Sequence, residues 1–429
     1  MPSKASKPAP PAAKPAPSLA AVKGAKAAPV PLVTKGTPVD WWFAFKFNAQ
    51  TYPGVPKASG EQAGIFGGKI ETYDGDARRF SQTYAAASSA DPVLKLGSER
   101  IGTTVTDPLG ATFGQVYDGD FYYVVWNDQF YGNPIPKEFA PWGHSKGLLA
   151  WNDAGEGFVL QVSTPSWPAS GSRRHPRQND GNTLGYVNDD DIEVSQHFFA
   201  LKLSADDVQA VVEALLNAGV VTNPSVPALA NNGGPQAIAR AVAKLGKLPP
   251  KGACTVRRLS SGATLISKPA SLAVPPWQLV SASLGGVDLR VASWWTTPEI
   301  YSTTGKTLPG CWGAGLGNPG AVQIATTGTW QGRPIDLKGG EMNNHAKIGA
   351  STDASRPYAI FGDMNQQGAL CEGYDTASQN CSSSQNGRGG LFFVLEDKKL
   401  HAQVSALLAG ESAPVKESLR GSATRSTGR

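Results

Sequence analysis

The chain carries an internal repeat that begins with His144-Ser145-Lys146-Gly147 and continues into the apolar stretch Leu148-Leu149-Ala150-Trp151. A second copy begins with His345-Ala346-Lys347-Ile348, half a chain later. In each copy the motif is followed by a turn, a strand and a polar stop, which is Ser163-Thr164-Pro165-Ser166 in the first copy and Gly362-Asp363-Met364-Asn365 in the second. Such a duplication predicts two equivalent halves whose edges face each other.

Short apolar runs bounded by polar or glycine-containing turns predict strands on both sides of these motifs. The predicted strands are Asp40–Phe47, Phe121–Trp126, Leu148–Trp151, Phe158–Val162, Phe198–Leu203, Gln278–Leu284, Leu289–Trp295, Ala359–Phe361 and Leu391–Leu395. A helix is predicted from the N-cap Ser204 to the terminating Gly219, because apolar residues recur on one face between them. A closing helix is predicted around Leu400–Leu408. Strands alternating with helices predict a mixed α/β fold in which helices cover the sheets.

Composition and proline or glycine content divide the chain into segments. An Ala/Pro/Lys tract over residues 1–36 and the segment 410–429 are predicted to be disordered tails. The N-terminal half is expected over 37–225, a connecting segment over 226–275 and the C-terminal half over 276–409. The boundary follows from a Pro/Asn/Gly-rich stretch near residues 223–234.

Bulk properties limit the function only weakly. The 429 residues include 40% hydrophobic residues and carry a net charge of +5, which permits a polyanionic partner without requiring one. Four cysteines are too few for a disulfide scaffold and lack the paired spacing of a zinc site. We recognise no membrane span and no secretory signal, so we expect a soluble protein and leave its compartment and oligomeric state undetermined.

The repeated His-x-Lys motif predicts chemistry at a phosphodiester. Residues two apart on a strand project to the same side, so His144 and Lys146 can approach one phosphate, as can His345 and Lys347. The two ammonium groups can neutralise the phosphate oxygens, which is the task that metals perform elsewhere. One imidazole can attack phosphorus while the other protonates the departing oxygen. We therefore expect neither a metal nor another cofactor.

Several short blocks in a fixed order carry a resemblance to a known family, the deoxyribonuclease II family within the phospholipase D superfamily. The blocks are Pro38-Val39-Asp40-Trp41 with Lys46, Trp126-Asn127-Asp128-Gln129, Gly143-His144-Ser145-Lys146-Gly147, Gly157-Phe158, Asn344-His345-Ala346-Lys347, Gly362-Asp363-Met364-Asn365 and Arg388-Gly389-Gly390. The resemblance implies two phospholipase D-like halves in a pseudo-twofold arrangement around a groove for double-stranded DNA. It also implies a metal-independent endonuclease that leaves 3′-phosphate and 5′-hydroxyl ends.

The resemblance further implies roles for individual residues. His144 is assigned as the nucleophile and His345 as the general acid, with Lys146 and Lys347 beside them. Asn365 fits a short polar residue that steadies the phosphate, Asp363 lies in the same polar stop, and Ser166 occupies the corresponding place in the first half, where the family pattern has Asn.

Other residues leave alternatives open. Arg173 and Arg174 are predicted to contact the phosphate backbone of the substrate, and a solvated basic loop is the alternative. His197 is predicted to be a packing residue. The competing functions are a phosphodiesterase of the same superfamily that acts on phospholipid, and a catalytically inactive DNA-binding protein.

Overall fold

The structure is a computed structural model, and it describes fourteen stretches of the chain. They are residues 27–48, 83–98, 101–102, 104–130, 139–165, 167–168, 171–176, 194–249, 251–294, 301–309, 312–313, 315–339, 343–366 and 384–416.

The first half is built on an eight-stranded antiparallel sheet. Up to residue 231 the described strands are β1 (Leu32–Thr34), β2 (Thr37–Pro38), β3 (Trp41–Lys46), β4 (Tyr84–Ser88), β5 (Lys95–Leu96), β6 (Tyr122–Asn127), β7 (Lys146–Trp151), β8 (Gly157–Val162), β9 (Gln196–Leu203) and β10 (Ala230–Asn231). The large sheet has the order β10-β6-β7-β8-β9-β3-β4-β5, and β1 pairs with β2 in a separate ribbon. Strands β3, β7 and β8 are buried along their whole length.

The second half is built on a nine-stranded mixed sheet. Its strands and those of a small hairpin are β11 (Thr255–Arg258), β12 (Thr264–Lys268), β13 (Leu289–Ala292), β14 (Ser302–Thr303), β15 (Val322–Ile324), β16 (Thr327–Trp330), β17 (Arg333–Asp336), β18 (Ile348–Ser351), β19 (Tyr358–Gly362), β20 (Gly390–Glu396) and β21 (Val415–Lys416). The large sheet has the order β11-β12-β20-β19-β18-β13-β15-β14-β21, while β16 pairs with β17.

Five α-helices flank these sheets in the described part of the chain: α1 (Pro108–Asp118), α2 (Ala205–Ala218), α3 (Gln236–Val242), α4 (Pro276–Ser283) and α5 (Lys398–Leu407). The capping prediction for α2 is confirmed, since Ser204 and Asp207 form a capping box and Gly219 ends the helix in the left-handed conformation. The strand predicted over Gln278–Leu284 is wrong, because proline at the start of α4 favours a helix there. No helix among the described residues is long and apolar enough to cross a bilayer.

The two large sheets share a common strand order around the motifs. The order β6-β7-β8-β9-β3 in the first sheet corresponds to β13-β18-β19-β20-β12 in the second. In both halves a helix directly follows the fourth strand of this order, α2 after β9 and α5 after β20. The mixed α/β fold predicted from the sequence is therefore confirmed.

A continuous hydrophobic core joins the two halves. The ring centroid of Phe361 lies 4.6 Å from that of Phe43 and 4.5 Å from that of Phe199, and Phe393 packs 5.7 Å from Phe199. All four rings are buried. Burying one such side chain contributes about 1.5–3 kcal/mol to the free energy of unfolding. The halves are therefore held against each other by the aromatic faces of β3, β9, β19 and β20.

Parts of both segments that were predicted to be disordered tails belong to the fold. At the N-terminal end, β1 lies within the tract predicted as disordered, and the Leu32 amide donates to Thr112 Oγ1 at 3.0 Å. At the C-terminal end, β21 extends the second sheet by pairing with β14. Residues 27–36 and 410–416 contact distant strands and helices, and composition alone does not reveal such contacts. The predicted connecting segment likewise supplies β10 to the first sheet and β11 and β12 to the second.

Candidate active site between the two halves

Each His-x-Lys motif lies where the two halves meet. His144 comes just before β7, and the backbone amide of His144 donates to the carbonyl of Gly389 at 2.8 Å. His345 comes just before β18, and its amide donates to the carbonyl of Ser195, also at 2.8 Å. Gly389 and Ser195 occupy equivalent places, one residue before β20 and β9 respectively. Each motif is therefore anchored to the opposite half. The sequence suggested that both motifs lie on strands. Lys146 is the first residue of β7, but His144, His345 and Lys347 precede their strands.

The ring of His144 is held in one orientation. Its Nδ1 lies 2.6 Å from the main-chain carbonyl oxygen of Asp363 in the other half. A carbonyl oxygen can only accept a hydrogen bond, so Nδ1 carries the proton and Nε2 of a neutral ring carries the lone pair. Burial, together with the charges of Lys146, Arg388 and Lys347, holds the pKa of His144 well below its usual value, although Asp128 opposes this shift. His144 is therefore neutral at physiological pH.

The carboxyl group of Asp363 binds Ser145, the residue between His144 and Lys146. Ser145 Oγ donates to Asp363 Oδ2 at 2.5 Å and accepts from Trp126 Nε1 at 2.8 Å. The amide of Leu391 donates to the same carboxyl oxygen at 3.2 Å. Burial raises the pKa of Asp363 to about 7, despite these hydrogen bonds and the charge of Lys146. Asp363 thus contacts the first motif through both its main chain and its side chain.

Lys146 belongs to a buried charge network that also crosses between the halves. Lys146 Nζ lies 2.6 Å from Asp128 Oδ1, and Arg388 donates to Asp128 Oδ2 at 2.7 Å. Arg388 also donates to the carbonyls of Trp142 and Gly143, at 2.9 and 3.1 Å. Burial disfavours the charge on Asp128, but Lys146, His144 and Arg388 outweigh it and hold the pKa of Asp128 well below its usual range.

The second motif contacts a third histidine. The amide of Lys347 donates to Nδ1 of His197 at 3.1 Å, and His197 is fully buried at the start of β9. Burial, with a smaller contribution from the charge of Lys347, holds the pKa of His197 well below its usual value. His197 therefore carries its proton on Nε2 and braces the second motif, in addition to the packing role predicted for it.

The charge of Lys347 links the two motifs electrostatically. It is the smallest of the contributions that lower the pKa of His144 in the first motif, and it also lowers the pKa of His197. The aromatic ring of Trp294 packs edge-on against His345, with ring centroids 5.8 Å apart. The charge of Lys347 in the second motif therefore acts on a histidine of the first motif.

The predicted substrate-binding residues fall into two groups. Asp363 and Asn365 are buried at the end of β19, and Asn365 Oδ1 has no hydrogen-bond partner within the described residues. Arg173 and Arg174 are exposed and pair with the carboxylates of Asp118 and Asp120 at the end of α1. Ser166 lies outside the described residues.

Among the residues that are described, no group of His, Cys, Asp and Glu side chains is arranged to hold a metal ion.

Sequence reasoning assigned no role to Asp128, Arg388 or Ser145. Each stands in one of the short blocks that carry the family resemblance. Their contacts between the two halves span 218 to 260 residues along the chain, and such distant contacts have no local signal.

The two sheets carry one His-x-Lys motif each at the interface between the halves. The chain belongs to the deoxyribonuclease II family: its residues 31–410 match the family model described as Deoxyribonuclease II. It is accordingly a deoxyribonuclease, an endonuclease that degrades DNA. A search of curated proteins returns no match to the chain.

Proposed function

We propose that the chain hydrolyses double-stranded DNA without a metal ion, through a covalent phosphohistidine at His144. The observation that carries this proposal is the 2.6 Å hydrogen bond between His144 Nδ1 and the Asp363 carbonyl, because it leaves the lone pair on Nε2. A neutral, oriented imidazole is the form that can attack phosphorus.

In the first step His144 Nε2 forms a bond to phosphorus and the bond from phosphorus to O5′ breaks. His345 gives its proton to the departing O5′, which leaves a 5′-hydroxyl end. Lys146 and Lys347 neutralise the non-bridging oxygens as charge builds up on them. In the second step His345 accepts a proton from water, the water oxygen attacks phosphorus, and the bond to Nε2 breaks. The product is a 3′-phosphate, and both histidines return to their starting states.

The division of labour follows from the unequal surroundings of the two histidines. His144 is buried, carries a hydrogen bond that fixes its tautomer, and has a pKa held low by burial and by three cations. His345 is only partly buried and stacks edge-on with Trp294. Asp363 and Asn365 follow the end of β19, and we propose that both contact the bound phosphate group; Asn365 Oδ1 is buried and has no hydrogen-bond partner among the described residues.

The experiment incubates supercoiled plasmid with the purified protein in excess EDTA, and compares it with His144→Ala, His345→Ala and the control His175→Ala. His175 lies on an exposed loop. We expect the parent and the control to cut the plasmid and both other variants to fail. Fragments with 5′-hydroxyl ends accept label from polynucleotide kinase without prior dephosphorylation.

Three outcomes would overturn the proposal. Cleavage that stops in EDTA would refute metal independence. DNA binding without cleavage by the parent would indicate an inactive DNA-binding protein, and hydrolysis confined to phospholipid would indicate the other phosphodiesterase.

A further inference from the structure

Two fully buried lysines occupy equivalent places in the two halves. Lys46 is the last residue of β3 and lies opposite Gln196, the first residue of β9. Lys268 is the last residue of β12 and lies opposite Gly390, the first residue of β20. Neither side chain exposes any surface to solvent. The repeat seen in the sequence through the His-x-Lys motifs therefore extends to a pair of internal cations.

Both ammonium groups donate to main-chain carbonyls that precede the neighbouring strand. Lys46 Nζ lies 2.6 Å from the carbonyl oxygen of Val194. Lys268 Nζ lies 2.7 Å from the carbonyl oxygen of Arg388 and 2.8 Å from that of Asn386. Val194 and Arg388 each stand two residues before the residue opposite the lysine. The two lysines thus fasten the same short segment, once in each half.

The segments whose carbonyls bind the two lysines also anchor the motifs. The next residue after Val194 is Ser195, whose carbonyl accepts the amide of His345. The next residue after Arg388 is Gly389, whose carbonyl accepts the amide of His144. Each lysine therefore lies one peptide unit from the hydrogen bond that holds the histidine of the opposite half.

Stability alone is a poor explanation for these cations. Burying an ammonium group is costly, and apolar residues of similar size often stabilise a core as well or better. Among the described residues no carboxylate pairs with Lys268, and burial lowers its pKa to about 7. The amino group of a buried lysine gives directed N–H donors that an apolar side chain lacks, as it does here toward the carbonyls of Arg388 and Asn386.

We propose that Lys46 and Lys268 are positioning residues that act across the interface, Lys46 on His345 and Lys268 on His144. The catalytic role of the two lysines rests on the proposed function. The structural coupling of each lysine to the histidine of the other half, the crossed coupling, does not. Lys268 is linked to the first motif in a second way, because it binds the carbonyl of Arg388. The Arg388 side chain binds the carbonyls of Trp142 and Gly143, which immediately precede His144.

The test compares Lys46→Met and Lys268→Met with the control Lys202→Met, in which the lost lysine is exposed on β9. Histidine-selective ¹⁵N labelling reports the tautomer and environment of each imidazole in the folded protein. We expect Lys268→Met to shift the ring resonances of His144 and leave those of His345 in place. We expect Lys46→Met to do the reverse, and Lys202→Met to shift neither. A merely structural role would not produce this crossed pattern.

A second measurement follows single-turnover cleavage of DNA. Both methionine variants should cut roughly tenfold to a hundredfold more slowly than the parent, since small displacements of reacting groups cost that much. If a methionine variant does not fold, glutamine at the same position keeps an N–H donor on a shorter side chain, and the same crossed shifts are expected with smaller size.

Unchanged histidine resonances in folded variants, or shifts confined to the histidine of the same half, would overturn the inference. The spectra require no substrate. A parent protein that does not cleave DNA would therefore refute the proposed function while leaving the crossed coupling to be judged on its own.

Discussion

His144 Nδ1 and the main-chain carbonyl oxygen of Asp363 lie 2.6 Å apart, although 219 residues separate them in sequence. This bond joins the motif of the first half to the end of β19 in the second half. It fixes which ring nitrogen carries the proton, and it does so with a backbone group that no side-chain substitution removes. The proposed reaction depends on the halves being assembled, because neither half contains the complete arrangement.

Replacing Lys347 tests whether the two motifs share one site. Lys347→Met should slow DNA cleavage by at least about a hundredfold, because one charge-stabilising donor is lost. Removing its positive charge should also raise the pKa of His144, since that charge lowers it. The acid limb of the rate profile, where the nucleophile becomes protonated, should then move to higher pH. Lys338→Met, on an exposed surface, is the control; an unmoved acid limb in Lys347→Met would argue for separate sites.

Removing the carboxylate of the buried Lys146–Asp128 pair should destabilise the fold far more than breaking a surface pair of equal length. Asp128→Asn leaves two buried cations without their carboxylate, which should lower the free energy of unfolding by about 3–5 kcal/mol. The matched control is Asp118→Asn, because Arg173 and Asp118 are also 2.6 Å apart but more than half exposed. That change should cost less than about 1 kcal/mol. Urea denaturation measures both, and equal losses would contradict the account.

Asp363 should make stability depend on pH in a defined direction. Its pKa is about 7 in the folded protein and about 3.9 when unfolded, so between these values the folded state binds more protons. Stability from this group is complete below about pH 4 and is lost as the pH rises through about 7. Asp363→Asn keeps an oxygen that can accept from Ser145 and Leu391 but removes the titration. Across this pH range the unfolding free energy of Asp363→Asn should fall less steeply than that of the parent. The two slopes should differ by up to about 1.4 kcal/mol per pH unit. Parallel curves for the two proteins would refute the assignment.

Gly389 should tolerate no side chain. A Cβ atom there would lie 2.1 Å from the main-chain oxygen of Ala218, so the backbone just before β20 must move. Gly389→Ala should lower the free energy of unfolding by about 1–3 kcal/mol and reduce cleavage, because the Gly389 carbonyl anchors His144. The control is Gly313→Ala, where an added Cβ meets no atom of the described residues within 4 Å and the change should stay within about 0.5 kcal/mol. Full activity in Gly389→Ala would contradict this role.

Local patterns predicted the elements that local forces determine. The apolar runs at Leu148–Trp151 and Phe158–Val162 form β7 and β8, and the cap at Ser204 starts α2. Helix α4 was predicted as a strand because its apolar residues alone do not distinguish a short buried helix from a strand. The prolines at its start carried the information that decides between them.

The candidate site was only partly predictable for the same reason. The spacing of His144 with Lys146 and of His345 with Lys347 identified the chemistry, since it is a local feature. The partners of the motifs were not found, because Asp363 and Arg388 reach the first motif only after the two sheets have packed together. The roles of Arg173 and Arg174 stay predictions, and the structure places both beside carboxylates at the end of α1.

The most direct measurement of the central claim is a crystal structure of the protein with orthovanadate, an analogue of the phosphoryl group in transfer. We predict one vanadium centre at the interface, bonded to Nε2 of His144 and within hydrogen-bonding distance, about 3 Å, of both Lys146 Nζ and Lys347 Nζ. Vanadate held by one motif alone, or two vanadate ions in separate cavities, would contradict the claim that both motifs act on a single phosphorus atom.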